Sequence, residues 1–197
     1  QKAYKVARFP TWCSDCHRPS HAEIDQKTQE GITCRSCHLE DNVIRTANPK
    51  SNRAPHPVSY DESFGTSEFC AECHQFILPE AHPMFSDVPV QNTYQEWRES
   101  GYTESCQDCH MGEYGHRFPG GHDVALLKKS ITIDVQEEFE TTTITLGLHH
   151  VGHAFPTGDA FRRLEWRVCA SADCSEISLQ KSFAIVHQGP LWHVYKD

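Results

Sequence analysis

Four copies of one five-residue pattern carry most of the chemistry in this sequence. They are Cys13-Ser14-Asp15-Cys16-His17, Cys34-Arg35-Ser36-Cys37-His38, Cys70-Ala71-Glu72-Cys73-His74 and Cys106-Gln107-Asp108-Cys109-His110. Two cysteines three residues apart match the two vinyl groups of one haem, and the next residue then lies beneath the ring, where an imidazole ligates iron. The pattern predicts four covalently bound c-type haems. Cys13, Cys16, Cys34, Cys37, Cys70, Cys73, Cys106 and Cys109 form the thioethers, and His17, His38, His74 and His110 are the proximal ligands. Zinc ribbons also use C-x-x-C pairs but need no histidine after the second cysteine. All four copies here have one. A thioredoxin-type redox motif occurs once per domain, not four times.

Ten further histidines lie outside the motifs: His21, His56, His82, His116, His122, His149, His150, His153, His187 and His193. Four bis-histidine haems need four of them. Such irons have no open position for substrate and sit at low potential, which suits electron transfer. His56 stands in Ala54-Pro55-His56-Pro57, where flanking prolines stiffen the backbone. His116 and His122 belong to the tight loop Gly115-His116-Arg117-Phe118-Pro119-Gly120-Gly121-His122, and His153 to a similar context, Gly152-His153-Ala154-Phe155-Pro156-Thr157-Gly158. His21 follows His17 by one helical turn and is placed to serve a neighbouring haem. These five are the distal candidates. His82, His149 and His150 rank below them, and His187 and His193 lie in strand-like sequence.

The elements that must hold these residues divide into two parts. Residues 1–128 read as a mostly irregular and α-helical haem-wrapping region, punctuated by Gly, Pro, Ser and Asp. Its best helix is Thr93–Ser100, with Tyr94 and Trp97 on one face, packing against haem. Residues 129–197 read as a small antiparallel β-domain. Ser130–Val135, Thr141–Leu148, Leu164–Ala170 and Leu179–His187 alternate apolar and polar residues and are rich in Thr, Ile and Val, with Leu191–Tyr195 as a final strand. Cys169 and Cys174, left over after haem attachment, bracket a short loop and are expected to form a disulfide. They do not make a fifth motif, because the spacing is wrong and Ser175 is not histidine.

Composition sets the outer limits. The 197-residue chain is 38% hydrophobic. A core made of protein alone would be thin, and four large apolar cofactors would fill it. The net charge is −9 before haem propionates make it more negative. Such a balance argues against a nucleic-acid partner. No segment approaches the roughly 18–20 apolar residues of a membrane span, and no apolar signal region precedes the first motif. Because c-type haem is attached outside the cytoplasm, the chain is expected to be exported. The residue at Gln1 is then expected to lie near a cleavage point, and the protein to be periplasmic or extracellular.

The run FCAECHQF from Phe69, the segment Val90–Trp97, then CQDCHMG, HRFPGGHD and VGHAFPTGDAFRRLEWRV together resemble the cytochrome c-554-like multihaem family over about residues 55–170. The resemblance implies bis-histidine haems in closely packed chains, electron transfer as the role, and His122 and His153 as ligands. Relatives of the hydroxylamine-oxidising type often carry a histidine where this chain has Glu99-Ser100-Gly101-Tyr102, so that departure weighs against haem catalysis. A four-haem chain of this size also resembles the extracellular cytochrome filaments of metal-reducing microbes and some archaea, which implies head-to-tail self-association that does not close. The expected partners are redox proteins or extracellular electron acceptors. A monomeric periplasmic shuttle fits the same residues. The contrasting function is a small periplasmic haem oxidoreductase acting on nitrogen or sulfur oxyanions, which would need one iron with an open position.

Overall fold

The structure, a computed structural model, describes residue 16 and residues 31–48, 54–77, 89–139, 141–158, 162–170, 173–180, 183–188 and 191–196. Cys13, His17, His21 and His82 lie outside the described residues. The chain forms two compact units, Gln1–Cys73 and His74–Asp197, and the division falls between two residues of the third motif.

In the first unit, α1 (Cys34–His38) is the second motif itself, and it runs directly into β1 (Leu39–Glu40). A left-handed pair, Asp41 and Asn42, turns the chain into β2 (Val43–Thr46). Both are residue types that tolerate positive φ. β2 pairs antiparallel with β1 and parallel with β3 (Val58–Tyr60), giving a small sheet of order β1-β2-β3. Arg45 ties this sheet together through ion pairs to Glu40 (2.6 Å) and Asp61 (2.9 Å). Asp61 then accepts from the Ser63 N–H and opens a 3-10 turn, Glu62–Gly65, that leads to α2 (Ser67–His74).

The second unit continues from the end of α2. β4 (Phe76–Ile77) pairs antiparallel with β5 (Pro89–Gln91), and α3 follows over Thr93–Ser100. Gly101, left-handed at φ 78°, stops α3. A residue with a Cβ is disfavoured in that conformation. The fourth motif forms α4 (Cys106–His110), and α5 (Val124–Ser130) is capped by the Asp123 carboxylate on the Leu126 N–H. Ser130 passes without a loop into β6 (Ile131–Glu138), which pairs along its whole length with β7 (Thr141–Leu148). Two more antiparallel ribbons complete the unit: β8 (Arg163–Ala170) with β9 (Asp173–Gln180), and β10 (Phe183–Gln188) with β11 (Leu191–Lys196).

Cys169 is disulfide-bonded, and the β8–β9 register sets Cys174 directly opposite it. The register Ile131↔Leu148, Ile133↔Leu146 and Val135↔Ile144 puts six apolar residues on one face of the β6–β7 ribbon. The period of two along a strand requires this arrangement. Among the described residues no helix is long and apolar enough to cross a membrane.

Candidate haem site

Each described motif helix ends on its histidine: α1 at His38, α2 at His74 and α4 at His110. Helical spacing puts the cysteines, at i and i+3, and the histidine, at i+4 from the first of them, on one face, so the two sulfurs and the imidazole present themselves together. Two of these helices are fixed at their N-termini by residues around the first cysteine. Ser105 and Asp108 form a capping box on α4. The Ser105 N–H and hydroxyl each donate to Asp108 Oδ2 at 2.8 Å, and the Asp108 N–H donates to Ser105 Oγ at 3.1 Å. Thr33 and Ser36 make the equivalent exchange on α1, with the Thr33 N–H on Ser36 Oγ at 3.0 Å. The Ser105 contacts hold the Asp108 carboxyl below the ordinary carboxylate range.

The histidine rings are oriented by backbone carbonyls downstream. His38 Nδ1 lies 2.8 Å from the Arg45 carbonyl oxygen and His110 Nδ1 lies 2.7 Å from that of Pro119. A neutral imidazole that donates from Nδ1 has its Nε2 lone pair free for a metal, and such an outer hydrogen bond fixes both tautomer and ring direction. Phe64 stacks on the His38 ring at 5.0 Å, and Phe69 stacks on Phe64 at 4.4 Å. Pro119 is buried, and the preceding residue Phe118 takes a left-handed turn at φ 45°, so the 115–122 loop delivers its carbonyl to His110. That service was not legible in the sequence, because a carbonyl belongs to every residue type.

His153 faces the fourth motif. The His110 and His153 ring centres are 6.2 Å apart and their planes are within 10° of parallel. That separation lies within the roughly 4.5–7 Å range of aromatic pairs. In a five-membered ring with sides of about 1.33 Å, the nitrogen lies about 1.1 Å from the centre. With metal–imidazole bonds of about 2.0 Å, two rings ligating one metal from opposite sides have centres about 6.3 Å apart. The observed separation equals the spacing that two imidazoles ligating one metal would have. His153 Nδ1 lies 2.9 Å from its neighbour's carbonyl, that of Ala154. A cleft of about 480 Å³ lies beside Cys109, lined also by Tyr102, Tyr114, Leu126, His149 and His150, but not by His110 or His153. Cys106, Cys109, His110 and the facing His153 are the donor types that would hold a c-type haem at the fourth motif.

One helix positions these groups. Gln75, next to His74, accepts from the Gln95 N–H at 3.1 Å and donates from Nε2 to Asn92 at 2.9 Å, which fixes the start of α3. The Trp97 indole N–H donates to the Glu104 carbonyl at 2.8 Å, beside the cap of the fourth motif. Thr157 bonds to Glu96 (2.5 Å) and Thr93 (2.8 Å), pulling the loop that carries His153 onto α3. A Cβ on Gly152 would meet Tyr102 at 3.2 Å and Trp97 at 3.4 Å. That close approach uses the missing side chain. Thr157 and Glu96 were not singled out from the sequence; only the proline-stiffened setting of the loop hinted at a fixed position.

The remaining candidates are placed differently. His56 is exposed and lies just before β3, where the Pro57 carbonyl accepts from the Ile44 N–H at 3.2 Å, one residue from the carbonyl that holds His38. His116 is exposed, edge-on to Phe118 at 6.0 Å. His122 is exposed, and its Nε2 accepts from Arg162 Nη2 at 3.4 Å. His149 and His150 meet edge-to-face at 4.1 Å and line the cleft beside Cys109, a location the sequence had not favoured.

Electrostatics separate the chemical readings. Burial pushes the Cys37 and Cys109 thiols up, aided by Glu72 and Glu104 respectively. Cys73 is pushed up to about 12, by burial first and then by Cys16, Glu72 and Cys37. Thiol redox motifs need the opposite, a depressed thiol pKa. Burial of the ring lowers the His74 imidazole, although the residue as a whole is exposed; Gln91 opposes the shift, and His110 and His153 add to it. His74, His110 and His153 are thus neighbours. Among the described residues no group of three or more His, Cys, Asp or Glu side chains is arranged to hold a bare metal ion. Comparisons of the chain with protein families, with characterised proteins and with solved structures returned no match.

Proposed function

We propose that the chain is a four-haem c-type cytochrome that conducts electrons through closely spaced bis-histidine haems outside the cytoplasm. The observation that carries this reading is the His110–His153 pair, parallel and 6.2 Å apart beside the fourth motif. Haem bound there would exchange one electron at a time between its ferric and ferrous states. The protein's part is ligation, orientation and exclusion of water. His110 is held by Pro119, and His153 by the contact of Thr157 with Glu96 on α3. His74 lies close enough to both rings to feel their charge. An axial pair leaves no open position on that haem, which weighs against the oxyanion-reducing alternative. The disulfide at Cys169 fits an oxidising compartment.

The test is the spin state and redox behaviour of the isolated protein. The proposal expects four low-spin irons, each reversibly reduced by one electron. A high-spin iron that shifts on adding nitrite or hydroxylamine would instead support an enzyme. Negative-stain images then separate a head-to-tail filament from a monomeric carrier, both of which conduct.

A further inference from the structure

The His110 and His153 rings are set by two different loops. The 115–122 loop fixes His110 through the Pro119 carbonyl. The 152–158 loop carries His153 and is pinned to α3 at Thr157. The angle between the rings therefore depends on how one loop is held against the other. Arg162, directly before the eight paired residues of β8, reaches both. Its Nη2 lies 3.4 Å from His122 Nε2, and a Cβ on Gly121 would lie 3.3 Å from its Nη1, so the two prongs of the guanidinium face successive residues of the first loop. Its stem lies along the second, where a Cβ on Gly158 would stand 3.9 Å from Arg162 Cγ. The planar fork of arginine suits a two-point contact that the single ammonium of lysine does not reproduce. Among the described residues no carboxylate lies within ion-pair distance of Arg162, whereas Arg163 beside it pairs with Glu165 at 2.8 Å.

We propose that Arg162 is a positioning residue of the fourth site, a clamp that locks the loop behind His110 to the loop of His153 and so keeps the two imidazole planes parallel. The inference rests on the haem reading above. The planes are within 10° of parallel. In a low-spin ferric haem with two axial imidazoles, the angle between the ring planes governs how the iron d orbitals split. Parallel rings give a rhombic resonance, and rotating one ring against the other spreads it toward a strongly anisotropic one. Arg162 acts through the loops and not on the iron, and His122 serves the clamp as its acceptor.

The test uses the purified holoprotein with Arg162→Ala, Arg162→Lys and, as a control at the neighbouring cation, Arg163→Ala, each first shown by intact mass to hold four haems. Low-temperature electron paramagnetic resonance reads the ferric irons, and cyanide uptake reads how readily a distal histidine leaves. Arg162→Ala should keep all four irons low-spin but turn one rhombic resonance into a spread one, with the other three unchanged. Cyanide uptake at that iron should quicken about fivefold, the effect of losing one charge-assisted hydrogen bond at the surface. Arg162→Lys keeps the charge without the fork and should resemble Arg162→Ala, while Arg163→Ala should match the wild type. If Arg162→Ala does not retain four haems, Arg162→Gln takes its place. Four resonances unmoved, all four moving together, or a lysine variant identical to the wild type would overturn the proposal. A wild-type protein without four low-spin haems would overturn the underlying reading instead, before any variant is compared.

Discussion

Replacing His153 with alanine gives the sharpest structural test of the fourth site. The midpoint between the His110 and His153 rings lies half of the 6.2 Å separation from each centre. A methyl group in place of the imidazole withdraws the donor atom, and His110, anchored to the buried Pro119, does not move to compensate. One of four irons should therefore lose its sixth ligand. In the ferric protein about a quarter of the iron should turn high-spin, and added imidazole should return it to the low-spin state. His153→Met should keep six-coordination and raise that haem's potential, because His/Met ligation lies above bis-His. Electron paramagnetic resonance at low temperature measures the fraction directly. If the alanine variant carries four haems and all of its iron stays low-spin, His153 is not the ligand and the argument from the ring spacing is wrong.

Two weaker perturbations test the supports. Thr157→Val removes the hydroxyl contacts to Glu96 and Thr93. The loss should cost about 1–2 kcal/mol, seen as earlier thermal loss of the low-spin signal of one haem with the others unchanged. Asp108→Ala removes the acceptor of the α4 capping box. That change should cost about 0.5–1 kcal/mol at neutral pH in denaturant unfolding. Because the Ser105 contacts lower the Asp108 pKa, the unfolded state takes up the proton first as pH falls. The contribution is thus complete above the ordinary value of 3.8 and lost as pH drops through the lowered one. The difference between wild type and variant should vanish in acid.

The parts of this architecture that the sequence announced are those with strong local signals. The helix expected over Thr93–Ser100 is α3 with the same bounds, since Tyr94 and Trp97 share a face and Gly101 ends it. The Thr141–Leu148 strand is β7 with the same bounds. The segment Leu179–His187, read as one strand, is the end of β9 and most of β10. No glycine or proline stands between Gln180 and Phe183 to mark the break, and Asp173, Ser175 and Glu176 disguised the start of β9 as loop. The strands β1 to β5 have two to four residues each, too few for a period to show. Within the site, the motifs and His153 were legible because their residue types carry the chemistry. The carbonyls of Arg45 and Pro119 and the Thr157–Glu96 contact were not, because they depend on which segments meet in space.

The central claim is that four cysteine pairs hold four haems. Intact-protein mass under denaturing conditions, together with a free-thiol assay, reads this most directly, since thioether-bound haem survives unfolding. The account predicts a mass above that of the chain by four haems and no titratable thiol, with Cys169 in its disulfide. A mass matching the bare chain, or eight reactive thiols, would contradict it.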